Sequence, residues 1–130
     1  MNTRMGSAVV VLMLVLAAGL LRAHHSVTAL FDVSKKFTLK GTLTKLDWRN
    51  PHSALSIEAT NDRGELESWV IQTASLGWFT QNHIGRSDFE KAIGQTVTVE
   101  VHRARDGNLL GALLKITLPD GKVLTSNPTQ

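Results

Sequence analysis

Five segments of this chain alternate apolar and polar residues with a period of two, which is the spacing of a β-strand with one buried face. Turn-forming residues lie between most of these segments. The predicted strands run from Phe37 to Trp48, Leu55 to Thr60, Ser68 to Gln72, Val97 to Val101 and Leu110 to Leu118. Each strand must bury one face against the others, and this requirement restricts the chain to small all-β architectures.

The first strand changes phase along its length. Phe37, Leu39 and Leu43 share one parity, whereas Leu46 and Trp48 fall on the opposite parity. A slip of one residue within a good strand predicts a β-bulge, which lets a strand bend and coil.

A helical segment is predicted between the third and fourth strands. Residues 74–93 lack period two, and Ser87 followed by Glu90 three residues later is typical of a capping box. Gly94 would end this segment. A short extension at residues 122–124 follows the fifth strand.

The order strand, strand, strand, helix, strand, strand is that of the OB-fold. We therefore predict an all-β domain with one short helical segment, folded as a small five-stranded OB-like Greek-key barrel over residues 37–125. An open meander or a small sandwich of the same strands is the alternative. Residues 24–36 would form an N-terminal segment, and residues 126–130 a flexible tail.

Residues 1–23 have the three parts of a secretory signal peptide. A positive start ending at Arg4 precedes an apolar core over residues 9–21, and Leu21 and Ala23 suit the positions before a cut. Cleavage after Ala23 predicts a periplasmic or secreted protein with no membrane segment. Cleavage after Ala18, or an uncleaved anchor, are the alternatives.

The composition of the processed chain argues against several classes of partner. Without the leader, twelve Lys and Arg stand against eleven Asp and Glu. This balance predicts no binding to nucleic acid or anionic lipid. The chain has no cysteine, so that no disulfide stabilises the domain.

Several motifs of the processed chain resemble those of the domain of unknown function 6152 family, which comprises small exported bacterial proteins. These motifs are His24-His25-Ser26, Phe31-Asp32, the segment at residues 38–43, Trp48-Arg49-Asn50-Pro51-His52, Asp106-Gly107 and the segment at residues 118–122. The resemblance implies an exported single domain with no assigned activity. It implies no catalytic residues.

Three of the five histidines form the candidate metal site. His24 would begin the processed chain, and His25 follows it, while His52 lies in the loop after the first strand. A flexible N-terminal segment would allow the amine and ring of His24, with His25 as an alternative ligand, to meet His52. Nitrogen ligands of this kind suit copper. The competing interpretation is a polar terminus and a His52 ring that caps a turn.

Aromatic residues are the other candidates for a ligand face. Trp48 and Trp69 fall in phase with the core positions of their strands, which favours packing inside the domain. Trp78 and Phe79 lie outside the strands and are expected to plug one end of the barrel.

No residue pattern favours catalysis. The serines show no nucleophile motif, the turn carboxylates are explained by turn chemistry, and Lys35-Lys36 is a pair and not a patch. We therefore predict a binding or accessory module and not an enzyme. Its metal would be copper, and an envelope protein is a candidate partner. The alternatives are a structural or protein-interaction module without metal and a binder of small ligands or oligosaccharides.

Overall fold

The computed structural model describes residues 26–127; the predicted signal peptide, His24, His25 and the last three residues lie outside this range. It is mostly β-structure. Its elements are α1 (Ser26–Leu30), β1 (Phe37–Asp47), β2 (Ala54–Thr60), β3 (Leu66–Gln72), α2 (Leu76–Gln81), α3 (Arg86–Glu90), β4 (Thr96–Arg103), β5 (Leu110–Thr117) and β6 (Val123–Thr125).

The first five strands close into a barrel, which confirms the predicted OB-like architecture. The sheet has the order β3-β2-β1-β4-β5-β6, and a parallel pairing between β3 and β5 closes it. One edge of β5 pairs with β4. The other edge is shared, because residues 110–112 pair with β3 and residues 115–117 pair with β6. The predicted extension at residues 122–124 overlaps a short sixth strand, β6, which is shifted by one residue.

The first strand bends where the sequence predicts a bulge. Leu43 pairs with Ile57 and Lys45 with Ser56, so that Thr44 is the extra residue. A second close approach lies earlier in β1. A Cβ atom placed on Gly41 would overlap the Glu58 carbonyl oxygen and lie 2.8 Å from Cγ2 of Ile57. Glycine at this position allows β1 and β2 to approach closely.

The fourth strand confirms its predicted alternation, because Val97, Val99 and Val101 are all buried. The predicted phase of the fifth strand is wrong in its first half. Val101 pairs with Leu113, and Glu100 pairs with Lys115, so that Leu114 is a bulged residue. Leu113 is therefore fully buried, and Leu114 is only half-buried.

The helical segment closes one end of the barrel, as predicted. Phe79 of α2 and Phe89 of α3 are buried, and both contact Trp48, with ring centroids 5.2 and 5.8 Å from it. Trp78 is half-buried and meets Phe79 edge-on. Trp48 is itself only partly buried against this core.

The cap of α3 differs from the predicted Ser87 and Glu90 box. Gly85 is the N-cap, and its N–H donates to Oδ2 of Asp88 at 2.9 Å. Glu90 instead pairs with Arg86 one turn earlier, at 2.6 Å. Gly94 ends the segment with a φ of 83°, a conformation that favours glycine.

Both chain ends of the described range pack on the barrel. Phe31 is fully buried in a cluster with Val27, Ala104 and Ala112, which covers the outer face of β5. This arrangement differs from the expected flexible segment. At the other end, Ser126 is buried, and its Oγ accepts a hydrogen bond from the Ala74 N–H at 2.9 Å. The ordered domain therefore extends beyond residues 37–125.

No helix within residues 26–127 has the length and apolar character needed to cross a membrane.

Candidate functional site

His52 lies in the loop between β1 and β2, and several hydrogen bonds hold this loop against the chain that follows β3. Thr73 donates to the Ser53 carbonyl oxygen from its N–H at 2.8 Å and from its hydroxyl at 3.0 Å. The Leu76 N–H donates to Oδ1 of Asn50 at 3.2 Å. The Asn50–Pro51 peptide is cis. His52 is therefore presented by a well-anchored loop.

The ring of His52 has one nitrogen engaged. Its Nδ1 lies 3.2 Å from the Thr73 carbonyl oxygen, and a carbonyl can only accept, so that Nδ1 carries the proton of this hydrogen bond. In the neutral ring the lone pair then lies on Nε2. Histidine ligands of metals are held in the same way, with one nitrogen bound to a backbone carbonyl and the other on the metal.

An open groove of about 360 Å³ lies beside His52. Its apolar floor includes Val70 and Leu110, and Gln72 adds a polar group. Leu110 also packs against the cluster of Val27 and Phe31, so that the groove borders the N-terminal segment.

The structure places the other described histidines elsewhere. Nδ1 of His102 lies 2.8 Å from the Lys35 carbonyl oxygen, and His83 is exposed in a tight turn with a φ of 56°. No group of three or more His, Cys, Asp or Glu side chains that could hold a metal occurs within residues 26–127. His52 is thus the one member of the predicted triad in the described range.

The tryptophans contribute to packing more than to any ligand face. Trp69 is 1% exposed, and its Nε1 donates to Oε2 of Glu67 at 3.0 Å. Phe79 is fully buried, and Trp78 and Trp48 pack against the same core. Sequence reasoning therefore placed the aromatic residues correctly in the core, with Trp48 and Trp78 at its margin.

A second groove, of about 490 Å³, was not foreseen from the sequence. It lies between the N-terminal segment and the β4–β5 loop and includes Asp32, Lys35, Lys36, Phe37, Arg103, Ala104, Arg105 and Gly107. Four of these side chains are cationic, and one is a carboxylate. The Lys35-Lys36 pair is thus part of a larger cationic cluster, because the fold brings the end of β4 beside it.

Three carboxylates near this groove are already engaged. The side-chain hydrogen bond from Ser34, at 2.5 Å, and the Ser34 N–H hold the pKa of Asp32 below its ordinary value. The hydrogen bond from Lys36 similarly lowers the pKa of Glu100. Hydrogen bonds from Asn61 and Trp69 lower the pKa of Glu67. All three remain ionised at neutral pH.

Comparisons with known proteins point to one family. No curated protein and no solved structure matches the chain. A family model described as a family of unknown function (DUF6152) matches residues 10–113, which is most of the chain. This match confirms the resemblance seen in the sequence motifs. The chain belongs to this family of unknown function.

Proposed function

We propose that this protein is an exported, non-enzymatic binding module that holds a transition metal, copper, through His24, His25 and His52. The observation that carries the proposal is the ring of His52. Its Nδ1 is fixed by the Thr73 carbonyl oxygen, and its Nε2 is left for a ligand beside an open groove. Export is supported by the signal-peptide features of residues 1–23.

The position of His24 and His25 just before a segment that packs near this groove supports their part in the site. Val27 belongs to the cluster against which Leu110 packs, and Leu110 also lines the groove beside His52. His24 precedes Val27 by three residues, a span of about 10 Å when extended. Only a few residues in front of α1 would need to be ordered to bring His24 to the groove, and ordering them costs less conformational entropy than ordering a long flexible segment.

The nitrogen donors determine which metal is expected. Cleavage after Ala23 would give His24 a free amine, so that amine and imidazole could chelate one ion while His52 supplies another imidazole. Nitrogen ligands of this type bind Cu(II) more tightly than the other divalent first-row metals. Without the N-terminal donors, His52 alone would bind metal weakly.

The test is a competitive Cu(II) titration of the processed protein that begins at His24. We compare it with a form whose N-terminal amine is acetylated, with His52→Ala, and with His83→Asn as a control. His83 is exposed and far along the chain, and asparagine tolerates its positive φ. Sub-nanomolar binding that weakens at least about tenfold in the first two forms, and is unchanged in the control, supports the proposal.

Two binding results, or one mass measurement, would count against the proposal. Weak and equal binding in all forms would mean that the histidines bind metal incidentally. Tight binding that His52→Ala leaves unchanged would mean that the terminus binds copper by itself, without the barrel. An intact mass showing cleavage after Ala18 would remove the His24 amine from the site.

A further inference from the structure

We infer that the groove between the N-terminal segment and the β4–β5 loop binds a small anion that carries at least two carboxylate or phosphate groups. This groove, the cationic groove, is defined by Asp32, Lys35, Lys36, Phe37, Arg103, Ala104, Arg105 and Gly107. Among the described residues, the lining does not include His52, and the inference does not use the metal site.

Arg103 is the central group of the cationic groove. Its guanidinium carbon lies 4.7 Å from the ring centroid of Phe37 and 4.9 Å from that of Trp69. The two rings themselves stack at 5.5 Å. This aromatic platform fixes the guanidinium by cation–π contact while its N–H edges remain able to donate.

No carboxylate of residues 26–127 forms an ion pair with Arg103. The charge of Arg103 acts on Glu67 at longer range, but the hydrogen bonds of that carboxylate come from Asn61 and Trp69. A fixed guanidinium with free donors matches a carboxylate or phosphate, which can accept two parallel hydrogen bonds from it.

The neighbouring cations are only partly compensated. Lys36 pairs with Glu100 at 3.1 Å, whereas Lys35 makes no ion pair among residues 26–127. Nε of Arg105 donates to the Thr28 carbonyl oxygen at 3.0 Å, which holds this side chain at the rim without neutralising it. The one carboxylate in the lining, Asp32, accepts hydrogen bonds from Ser34 and also interacts with the charges of Arg105 and Lys35, so that it offsets one of the four positive charges. The groove therefore has an excess of positive charge.

The volume of the groove and the positions of its cations determine the class of ligand. Lys35 of the N-terminal segment faces the same space of about 490 Å³ as Arg103 and Arg105, which lie at the end of β4 and in the loop after it, and this volume suits a small molecule. A ligand with two or more negative groups can pair with more of these cations than a ligand with a single group. The processed chain as a whole is nearly neutral, and this balance disfavours a long polyanion that would extend beyond the groove.

The test is isothermal titration calorimetry on the processed, metal-free protein, with citrate and pyrophosphate as probes and acetate as the monovalent comparison. Arg103→Lys keeps the charge but removes the planar pair of donors, and Lys35→Gln removes one charge. Lys45→Gln is the matched control, because Lys45 is an exposed lysine of β1 outside the groove. Thermal melting of each variant checks that it is folded.

We expect the dissociation constant to rise about tenfold in Arg103→Lys and to rise severalfold in Lys35→Gln, with no change in Lys45→Gln. Binding of either probe would support the inference. Binding of citrate alone would identify carboxylate groups as the ligand chemistry, binding of pyrophosphate alone would identify phosphate groups, and binding of both would identify the chemistry they share. Failure of both probes to bind, or binding that neither groove variant weakens, would overturn it. If Arg103→Lys does not fold, Lys35→Glu replaces it, and unchanged affinity in that variant would also refute the inference. Loss of copper binding has no bearing on this result.

Discussion

Replacing Gly41 by alanine tests how closely the first two strands approach where β1 coils around the barrel. The added Cβ would overlap the Glu58 carbonyl oxygen and lie 2.8 Å from Cγ2 of Ile57 and 3.0 Å from Cβ of Ala59. Ordinary carbon contacts lie at about 3.5 to 4.0 Å. Ile57 and Ala59 are both buried, and the carbonyl belongs to the β2 backbone, so that no flexible side chain can yield.

Two opposing effects determine the size of the change. Gly41 has no positive φ, and alanine would therefore stabilise the fold by up to about 1 kcal/mol through the unfolded state. Overpacking costs about 1 to 3 kcal/mol, and the upper value applies here because backbone must move. We expect a net loss of about 2 kcal/mol, which corresponds to a melting temperature about 10 °C lower.

Gly77→Ala is the matched control. Gly77 lies on the exposed side of α2, and the nearest atom to an added Cβ there is Oγ of Ser75, at 3.9 Å. Alanine in a helix is more favourable than glycine by up to about 1 kcal/mol. The same substitution should therefore stabilise the protein at residue 77 and destabilise it at residue 41.

Urea denaturation followed by tryptophan fluorescence and far-ultraviolet circular dichroism gives both free energies of unfolding. Coincident transitions from the two probes would justify a two-state analysis. A Gly41→Ala variant at least as stable as the wild type would refute the close approach of β1 and β2. Equal changes in the free energy of unfolding for Gly41→Ala and Gly77→Ala would show that the effect at residue 41 does not come from its close contacts with β2.

Three other substitutions test separate parts of the fold. Val99→Asp places an unpaired charge at a fully buried position of β4 and should abolish the cooperative melting transition; wild-type melting would contradict the assignment of that strand. Phe31→Ala should cost about 3 kcal/mol and open residues 26–36 to limited proteolysis, and unchanged protection would mean that this cluster does not hold the segment. Hydrogen bonds from Lys122, at 2.7 Å, and then from the Gly85 N–H hold the pKa of Asp88 below its ordinary value of 3.8. Because the pKa of Asp88 is lower in the folded protein, its ionised carboxylate stabilises the fold. This contribution is complete above the pKa of Asp88 in the unfolded chain and is lost as the pH falls through its pKa in the folded protein. Asp88→Asn should therefore cost about 1 kcal/mol at pH 7 in urea titrations, and the difference from the wild type should narrow below about pH 4. A difference that does not depend on pH would exclude this ionic origin.

The predicted architecture was correct where one face of each strand is buried and the other is in water. Val97, Val99 and Val101 illustrate this case, because their neighbours are polar and only one register buries them. The first half of β5 is different. Its outer face is covered by the cluster of Val27 and Phe31, so that both faces are apolar and alternation no longer indicates which residues point inward.

The candidate sites show the same limit in another form. The position of His52 after the first strand was evident from its turn, but its hydrogen bond to Thr73 depends on a loop 21 residues away. The cationic groove joins Lys35 to Arg103 and Arg105. The hydrogen bond between His102 and Lys35, which are separated by 67 residues, shows how the fold brings these segments together. Periodicity and local motifs describe neighbours in the sequence and carry no information on such pairings.

The short seam that closes the barrel also has a consequence for motion. Three residue pairs join β3 to β5, whereas seven join β2 to β3 and six join β1 to β4. The cluster around Phe31 packs on Ala112, a residue of this seam. Opening of the seam should therefore occur together with release of α1, as one cooperative unit that exchanges its amide hydrogens faster than the central strands. The packing of the N-terminal segment on β5 would then determine how often the pairing between β3 and β5 opens.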